Sequence, residues 1–272
     1  VTNGGLNSYQ TRELDVKKFL CSHGYYEIQT IAMTSRADFD MFLIPEEAME
    51  RNVVELLNPI TENLSIMRTI MAPSMVKVIE NNIKNGNEAM RFFELANIYI
   101  PKALPLTEPP TETKILCLGT CGADEDFFAL KETLENFAAY NDLTFSYTRG
   151  NVPYLHPGRT ADVYCKGEKI GHFGQLKYEV IDSLNIAGGK KADTKIFVAE
   201  LDYSTLSTLF KKAIKYVSET GFAKNSRDIS VLIDKKFDFR ARKVVSLDVN
   251  SQDDRPPYRQ GLQSRFLAVR PR

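Results

Sequence analysis

Arg91 and Glu94 are the two charged residues whose positions most directly suggest chemistry, since both interrupt the apolar run Met90–Ile100. An arginine and a carboxylate on one face of a strand can converge on one polar ligand. Side chains alternate between the faces of a strand, so a spacing of three residues places these two on opposite faces. A β-bulge near Phe92 and Phe93 would restore them to one face. In a regular strand, the spacing therefore predicts that they do not act together.

His156 and Arg159 are a second candidate pair, in the stretch His156-Pro157-Gly158-Arg159. A Pro-Gly turn would aim both side chains the same way, so they could hold a phosphate. The interpretation we favour is a rigid turn that introduces a hairpin of residues 161–165 and 169–173. The chain has three histidines, and no Ser, Cys or carboxylate stands at a usable spacing from them. Neither a metal site nor a nucleophilic triad is supported.

The elements that would position these residues follow from hydrophobic periodicity. Met90–Ile100 is apolar at both even and odd positions, which predicts a strand covered on both faces near the middle of a sheet. Arg68 ends an alternating strand, residues 64–68, and we interpret it as a solvated strand end rather than a ligand contact. The same periodicity predicts helices over residues 7–23, 35–42, 73–85, 124–140, 175–184 and 203–213, and another starting near residue 45. Further strands are predicted over residues 25–33, 53–57, 114–119, 143–147 and 196–201.

Composition sets the limits on function. The 272 residues are 43% hydrophobic, enough for a large domain and a smaller one. Lys+Arg 35 against Asp+Glu 35 gives a formal charge of zero, which argues against a surface that grips nucleic acid everywhere. The four cysteines lack a ligand spacing and are expected to be reduced, buried thiols of a cytoplasmic protein. No apolar run approaches a membrane span, and the absence of an initiator Met suggests an excised piece of a longer chain.

Three stretches resemble, in the same order, the β-subunit family of bacterial phenylalanyl-tRNA synthetase. They are Leu57–Thr69 (LNPITENLSIMRT), Phe93–Tyr99 (FELANIY) and His156–Arg159 (HPGR). The likeness runs from about residue 7 to about residue 239. It implies an α+β fold with a mainly antiparallel sheet flanked by helices, of the class II synthetase type. The family's amino-terminal regions, including those that edit mischarged tRNA, and the carboxylate cluster to which magnesium is usually assigned, would lie outside this chain.

The resemblance also implies two domains. Residues 1–215 would form a catalytically silent synthetase-like core, and residues 216–272 would begin a ferredoxin-like anticodon-binding domain. Ser226–Asp234 resembles the opening strand of that domain. Arg227 and the Lys235-Lys236 pair are candidate tRNA-backbone contacts, although a solvated strand end explains them equally well. The family pattern fades from residue 240, so the second domain is expected to be incomplete or irregular.

The chemistry of the class is expected to be missing. Class II synthetases place an Arg and a Glu two residues apart on a strand, facing ATP and the amino acid, whereas Arg91 and Glu94 are three apart. Adenylate formation needs fixed cations on the phosphates, which the class supplies from a Gly-rich strand and a helix ending in Arg. The basic turn Gly188–Lys191 has no such helix after it. We therefore expect no catalytic residue, bound cofactor or metal in this chain.

What the resemblance implies for function is a supporting role. The chain would buttress the catalytic α subunit, where phenylalanine and ATP bind, within a heterotetramer of two α–β pairs that charges tRNA(Phe) using ATP and Mg²⁺. Two alternatives stay open: an active class II ligase whose bulge restores the Arg–Glu pair, or a stand-alone protein-interaction scaffold. The candidate ligand or tRNA contacts are Arg68, Arg91, Glu94, His156, Arg159 and Arg227.

Overall fold

The computed structural model describes residues 4–184, 186 and 194–210, all within the first of two compact units, Val1–Ala213 and Ile214–Arg272. The helices are α1 (Ser8–Ser22), α2 (Arg36–Met41), α3 (Ala72–Lys84), α4 (Phe127–Tyr140), α5 (Tyr178–Ser183) and α6 (Tyr203–Leu209). The strands are β1 (Tyr26–Glu27), β2 (Met33–Thr34), β3 (Ile66–Met67), β4 (Met90–Ile100), β5 (Thr111–Cys121), β6 (Phe145–Arg149), β7 (Leu155–Cys165), β8 (Glu168–Leu176) and β9 (Ile196–Asp202). Residues 49–51 and 62–64 form short 3-10 turns.

Among the described residues, seven strands form one sheet in the order β1-β4-β5-β9-β8-β7-β6, and β2 pairs with β3 separately. β1 runs parallel to β4, and every other neighbouring pair in the large sheet is antiparallel. Side chains of α1, α4 and α6 share one hydrophobic cluster with one face of the sheet. Those of α2, α3 and α5 share a second cluster with the other face. The α+β class and the mainly antiparallel sheet flanked by helices are confirmed.

Local signals in the sequence account for several helix starts. The Asn7 side chain accepts from the Gln10 N–H at 2.9 Å, and the Asp126 side chain accepts from the Ala129 N–H at 2.7 Å, so each caps a helix. Pro73 occupies the first turn of α3, where its missing N–H does no harm. Lys166 and Gly167 both have positive φ and join β7 to β8 in a two-residue turn, so the predicted hairpin is present but its second strand begins at Glu168 rather than at residue 169.

The long strand β4 is not in the middle of the sheet. Its outer neighbour among the described strands is the two-residue β1, and the fourth of the seven strands is β9. β9 is buried along nearly its whole length, whereas β4 is largely half-buried. The prediction of cover on both faces of β4 is correct, because Phe93 packs in one hydrophobic cluster and Ile98 in the other. Apolar residues on both faces of a strand indicate that helices cover both faces. They do not indicate that the strand lies at the centre of the sheet.

Several predicted elements differ in extent. The strand predicted over residues 53–57 is reduced to one bridge, Glu55 to Ile66, and the strand over 25–33 is replaced by β1 and β2. The helix expected near residue 45 is only the 3-10 turn at residues 49–51. Gln175 still belongs to β8, so the helix expected from there begins at Tyr178. Alternation of apolar and polar residues in a short run does not distinguish a strand from an extended loop. A segment becomes a strand only when a partner strand supplies the backbone hydrogen bonds.

The cysteines are free, and three are buried as expected, but Cys21 is exposed on α1. Within the described residues, no helix combines the length and apolar character that a membrane crossing needs. The predicted elements at residues 211–213 and from residue 226 onward lie outside the described residues.

Candidate functional site

The polar centre of the molecule is a row of side chains that crosses four neighbouring strands. Glu94 of β4 lies opposite Cys117 of β5, Cys117 lies opposite Glu200 of β9, and Glu200 lies opposite His172 of β8. Cys117 packs among the residues of the α3 side, and directly opposite residues in a sheet share one face. We call Glu94, Cys117, Glu200 and His172 the polar row. Two buried carboxylates thus flank a buried thiol beneath α3.

Arg68 closes the Glu94 end of the polar row. The side chains of Arg68 and Glu94 are each only 2% exposed, and the closest nitrogen–oxygen distance between them is 3.5 Å. Arg68 also donates to the Thr30 hydroxyl at 2.7 Å and to the Asn97 carbonyl at 2.9 Å. Glu94 accepts from the Thr30 N–H at 3.0 Å and from its hydroxyl at 2.7 Å. The interpretation of Arg68 as a solvated strand end is therefore wrong, since the guanidinium is buried and bound to protein groups.

The N-terminus of α3 binds Glu200, the third member of the row. One Glu200 carboxylate oxygen accepts from the N–H groups of Met71 and Ala72, at 2.5 and 2.9 Å. The other oxygen accepts from the Tyr154 hydroxyl at 2.5 Å and lies 3.3 Å from His172 Nε2. The first N–H groups of a helix lack partners within the helix and carry partial positive charge, so they are a natural site for an anion. Here that anion is a carboxylate of the chain itself.

The hydrogen bonds set the protonation states. Burial by itself raises the pKa of Glu200, but the hydrogen bonds from His172, Tyr154 and the Met71 N–H outweigh it and lower that pKa below the ordinary value. Burial, and then the charge of Glu200, raise the pKa of Tyr154 well above its ordinary value. Burial and the two carboxylates also raise the pKa of Cys117. Cys117 is therefore held as a neutral thiol, which is a poor nucleophile and a poor metal ligand.

Glu200 should make the stability depend on pH in the acid range. A carboxylate whose pKa is lowered by folding contributes stability that is complete above its unfolded pKa and is lost as the pH falls through its folded pKa. We expect the difference in free energy of unfolding between wild type and Glu200→Gln to shrink on going from about pH 5 to about pH 3. Urea unfolding at several pH values measures it. A difference that stays constant over this range would show that folding does not lower the pKa of Glu200, and a gain in the stability of wild type relative to the variant as the pH falls would show that folding raises it.

Arg91 points away from the polar row. The register of β4 with β5 runs without a shift from Met90 opposite Cys121 to Ile100 opposite Thr111, so Arg91 and Glu94 project from opposite faces, as their spacing predicts. Arg91 donates to the Glu125 carboxylate at 2.6 Å, and its guanidinium lies 5.9 Å from the ring of Tyr25. The Glu125 carboxylate raises the pKa of Arg91 against the smaller opposing effect of burial.

His156 and Arg159 lie in strand β7 rather than in a turn before it, so that prediction is wrong. The strand is irregular there: its pairing with β8 shifts between Leu155 and Thr160. His156 Nδ1 accepts from the Gly158 N–H at 3.0 Å, while Arg159 donates to the Gln175 side chain at 2.5 Å. The structure gives the two side chains separate partners. A shallow groove of about 500 Å³ beside them is lined by Tyr147, Arg149, Pro157 and Thr160, among others.

Sequence reasoning missed Glu200, His172 and Tyr154. Glu200 is the one charged residue within the buried run Ile196–Leu201, and an ionisable group in such a run is expensive to bury unless it is paired. That signal was present, but the partners come from residues 71, 72, 154 and 172, which sequence spacing does not connect. Arg227 lies outside the described residues. Within the described part of the chain, no group of three or more His, Cys, Asp and Glu is placed to hold a metal ion.

The protein is therefore an α+β domain built on a mainly antiparallel sheet. Its buried charged side chains form ion pairs and hydrogen bonds with other groups of the protein. Residues 1–203 match the family described as phenylalanyl tRNA synthetase beta chain CLM domain, and the chain belongs to this family. It is 32% identical over 222 residues to the phenylalanine–tRNA ligase beta subunit of Clostridium acetobutylicum, an alignment of 80% of this chain and 27% of that protein. The Clostridium tetani subunit is 33% identical over 234 residues, covering 83% of this chain and 28% of the relative. The chain thus spans less than a third of the length of these relatives.

Proposed function

We propose that this chain is a catalytically silent module, of class II synthetase type, in the beta subunit of a phenylalanine–tRNA ligase. It supports the catalytic alpha subunit and contributes to tRNA binding while the holoenzyme charges tRNA(Phe) with phenylalanine, using ATP and Mg²⁺. The holoenzyme is a cytoplasmic heterotetramer of two alpha–beta pairs. Residues 1–215 form the silent core, and residues 216–272 begin a ferredoxin-like anticodon-binding domain in which Arg227 contacts tRNA.

One observation supports the proposal that the module is catalytically silent. The charged groups of the polar row already form ion pairs and hydrogen bonds with other groups of the protein. A site for adenylate formation needs cations and N–H groups aimed at phosphates before substrate arrives. Arg68 is bound to Glu94, Thr30 and the Asn97 carbonyl, and Glu200 occupies the α3 N-terminus. A triphosphate would have to displace a buried carboxylate and break these bonds. The residues of the polar row therefore do not fit ATP and Mg²⁺.

The arrangement also counts against the active-ligase alternative. That alternative requires a bulge that brings Arg91 and Glu94 to one face of β4, and the pairing of β4 with β5 runs in unbroken register through both residues. Arg91 is engaged by Glu125 on the far face of the sheet. The stand-alone scaffold alternative predicts no affinity for an alpha subunit, so it is separated from our proposal by a binding measurement.

The isolated chain should bind neither ATP nor phenylalanine. Isothermal titration of each ligand, with Mg²⁺ present, into the full 272-residue chain should give no saturable heat at ligand concentrations up to about 1 mM, a range that detects binding free energies beyond about −4 kcal/mol. Saturable binding of either ligand would refute the silent assignment.

Association with the alpha subunit is tested separately. The chain is mixed with the purified alpha subunit from the same organism and analysed by size-exclusion chromatography at low salt. We expect the two proteins to elute together. If they do not, the supporting role is wrong, and the scaffold alternative is favoured.

A further inference from the structure

We propose that four groups of the protein form a binding site for a small carboxylate, and that Glu200 is the built-in ligand of this site. The four groups are the N–H groups of Met71 and Ala72, the Tyr154 hydroxyl and Nε2 of His172. We call them the carboxylate site. The inference goes beyond the proposed function and does not depend on it, because it concerns only groups within the described part of the core.

The carboxylate site is more than a helix terminus, because its donors come from three separate segments of the chain. One oxygen of Glu200 accepts from the N–H groups of Met71 and Ala72, at the start of α3. The other accepts from the hydroxyl of Tyr154, which precedes β7, and lies 3.3 Å from Nε2 of His172 on β8. A carboxylate has two oxygens with two lone pairs each, so it can use all of these donors. The structure therefore contains both the donors and the bound carboxylate.

The bonds of Tyr154 assign a hydrogen to Nε2 of His172. The Tyr154 hydroxyl has one hydrogen, which it donates to Glu200 at 2.5 Å. Its oxygen lies 2.7 Å from Nε2 of His172, where it can only accept, so Nε2 is the donor. All four groups thus present a hydrogen to the site. Such a site suits an anion with two acceptor oxygens and disfavours a cation.

The donors are held in place by contacts that do not involve Glu200. Tyr154 is 2% exposed, and its ring packs against that of Phe42, with the ring centroids 5.4 Å apart. The side chains of Met75 and Val76 anchor α3 within the hydrophobic cluster on this face of the sheet. A site whose donors are fixed before the ligand binds loses little entropy on binding. We therefore expect the site to persist when the Glu200 carboxylate is removed.

In wild type, Glu200 closes the site to free carboxylates. A group that the chain already holds in the bonding position competes as if it were present at a very high concentration. The side chain of Glu200 is 8% exposed and that of His172 is 22% exposed, so the site lies close to the surface at His172. Truncation of Glu200 should open the site to a small carboxylate from solution.

The test is rescue of Glu200→Ala by acetate at neutral pH. The substitution removes one methylene and one carboxylate, which are the atoms of acetate apart from one hydrogen. We expect a dissociation constant of about 10 mM, a modest value for a ligand of about four non-hydrogen atoms in a preformed site. Urea unfolding of the full 272-residue chain should give a folding equilibrium constant about tenfold larger in about 100 mM sodium acetate than in the same concentration of sodium chloride.

The controls separate the site from a general effect of the salt. Glu200→Gln fills the space with an amide, so acetate should change its folding equilibrium less than about twofold. Glu112→Ala loses an exposed carboxylate and should respond equally little. Acetamide has the shape of acetate without its charge, so it should stabilise Glu200→Ala much less. Adding Tyr154→Phe to Glu200→Ala removes one donor and should reduce the effect of acetate to less than about threefold.

Wild type supplies a second measurement, which does not require Glu200→Ala to fold. NMR of the ring nitrogens of His172, at a pH where the ring is neutral, should show the hydrogen on Nε2. A hydrogen on Nδ1 instead would overturn the carboxylate site, because Nε2 could then donate neither to Tyr154 nor to Glu200. The proposal is also overturned if acetate stabilises a folded Glu200→Ala no more than chloride does. If that variant folds in neither salt, the position of the His172 hydrogen decides.

Discussion

Replacing Arg68 with methionine should lower the free energy of unfolding by about 3–5 kcal/mol, which is the usual effect of removing one partner from a buried ion pair. Methionine approximates the length and volume of the aliphatic part of the arginine, so the loss is mainly electrostatic. Glu94 would stay buried with its charge balanced only by its bonds to Thr30. The Asn97 carbonyl would lose its bond from Arg68 as well. Urea unfolding followed by circular dichroism measures the change.

Arg36→Met is the matched control. Arg36 and Glu55 form an ion pair at 2.7 Å with side chains 52% and 66% exposed, and an exposed pair contributes about 0–1 kcal/mol. The double variant Arg68→Met with Glu94→Gln should be more stable than Arg68→Met alone, because a neutral amide removes the unbalanced charge. If Arg68→Met were no more destabilising than Arg36→Met, the guanidinium would not be a buried structural group.

Replacing Glu200 with alanine should lower the free energy of unfolding by about 3–5 kcal/mol, comparable to breaking a buried charged pair. The substitution leaves the N–H groups of Met71 and Ala72 without an acceptor. It also removes one of the partners of Tyr154 and of His172, which keep their contact of 2.7 Å with each other. Buried donors without partners carry a desolvation penalty of about 1–3 kcal/mol each. Removal of the side chain also leaves a cavity between α3 and the sheet.

Glu112→Ala is the control for Glu200. Glu112 is exposed on β5 and accepts from the Asn97 side chain at 2.7 Å, so its loss should change the free energy of unfolding by less than about 0.5 kcal/mol. Thermal unfolding of both variants gives the comparison. An equal effect of the two substitutions would mean that the α3 N-terminus does not depend on Glu200.

The two predictions test one idea, that the polar row is part of the core. In a binding site, polar groups converge on a space and find their partners in the ligand. Here the groups on the α3 face of β4 and β9 find their partners in Thr30, the residues before α3, and Tyr154. A module closed in this way can lack an open ligand site of its own and contribute through its surfaces. A polar row that stabilises the core is consistent with the proposed roles of the chain in assembly and tRNA binding.

Local rules predicted part of this correctly. The helices predicted over residues 7–23 and 124–140 are present as α1 and α4, whose starts are fixed locally, because the side-chain oxygens of Asn7 and Asp126 act on N–H groups only two or three positions away. The parity of Arg91 and Glu94 followed from the two-residue period of a strand, which holds wherever the strand is regular. The stretches Leu57–Thr69, Phe93–Tyr99 and His156–Arg159, taken in order, indicated the family, and residues 1–203 match it. Each of these depends on residues close together in the chain.

The sequence by itself determined the α+β class, the main helices, the opposite faces of Arg91 and Glu94, and the family. Only the tertiary structure decided that Arg68 is buried against Glu94, that residues 156–159 belong to β7, and that Glu200 binds the α3 N-terminus. The partners in these contacts are separated by as many as 129 residues. Whether a polar side chain is solvated or paired depends on which strands and helices pack around it. The spacing of residues in the sequence does not show which elements pack together.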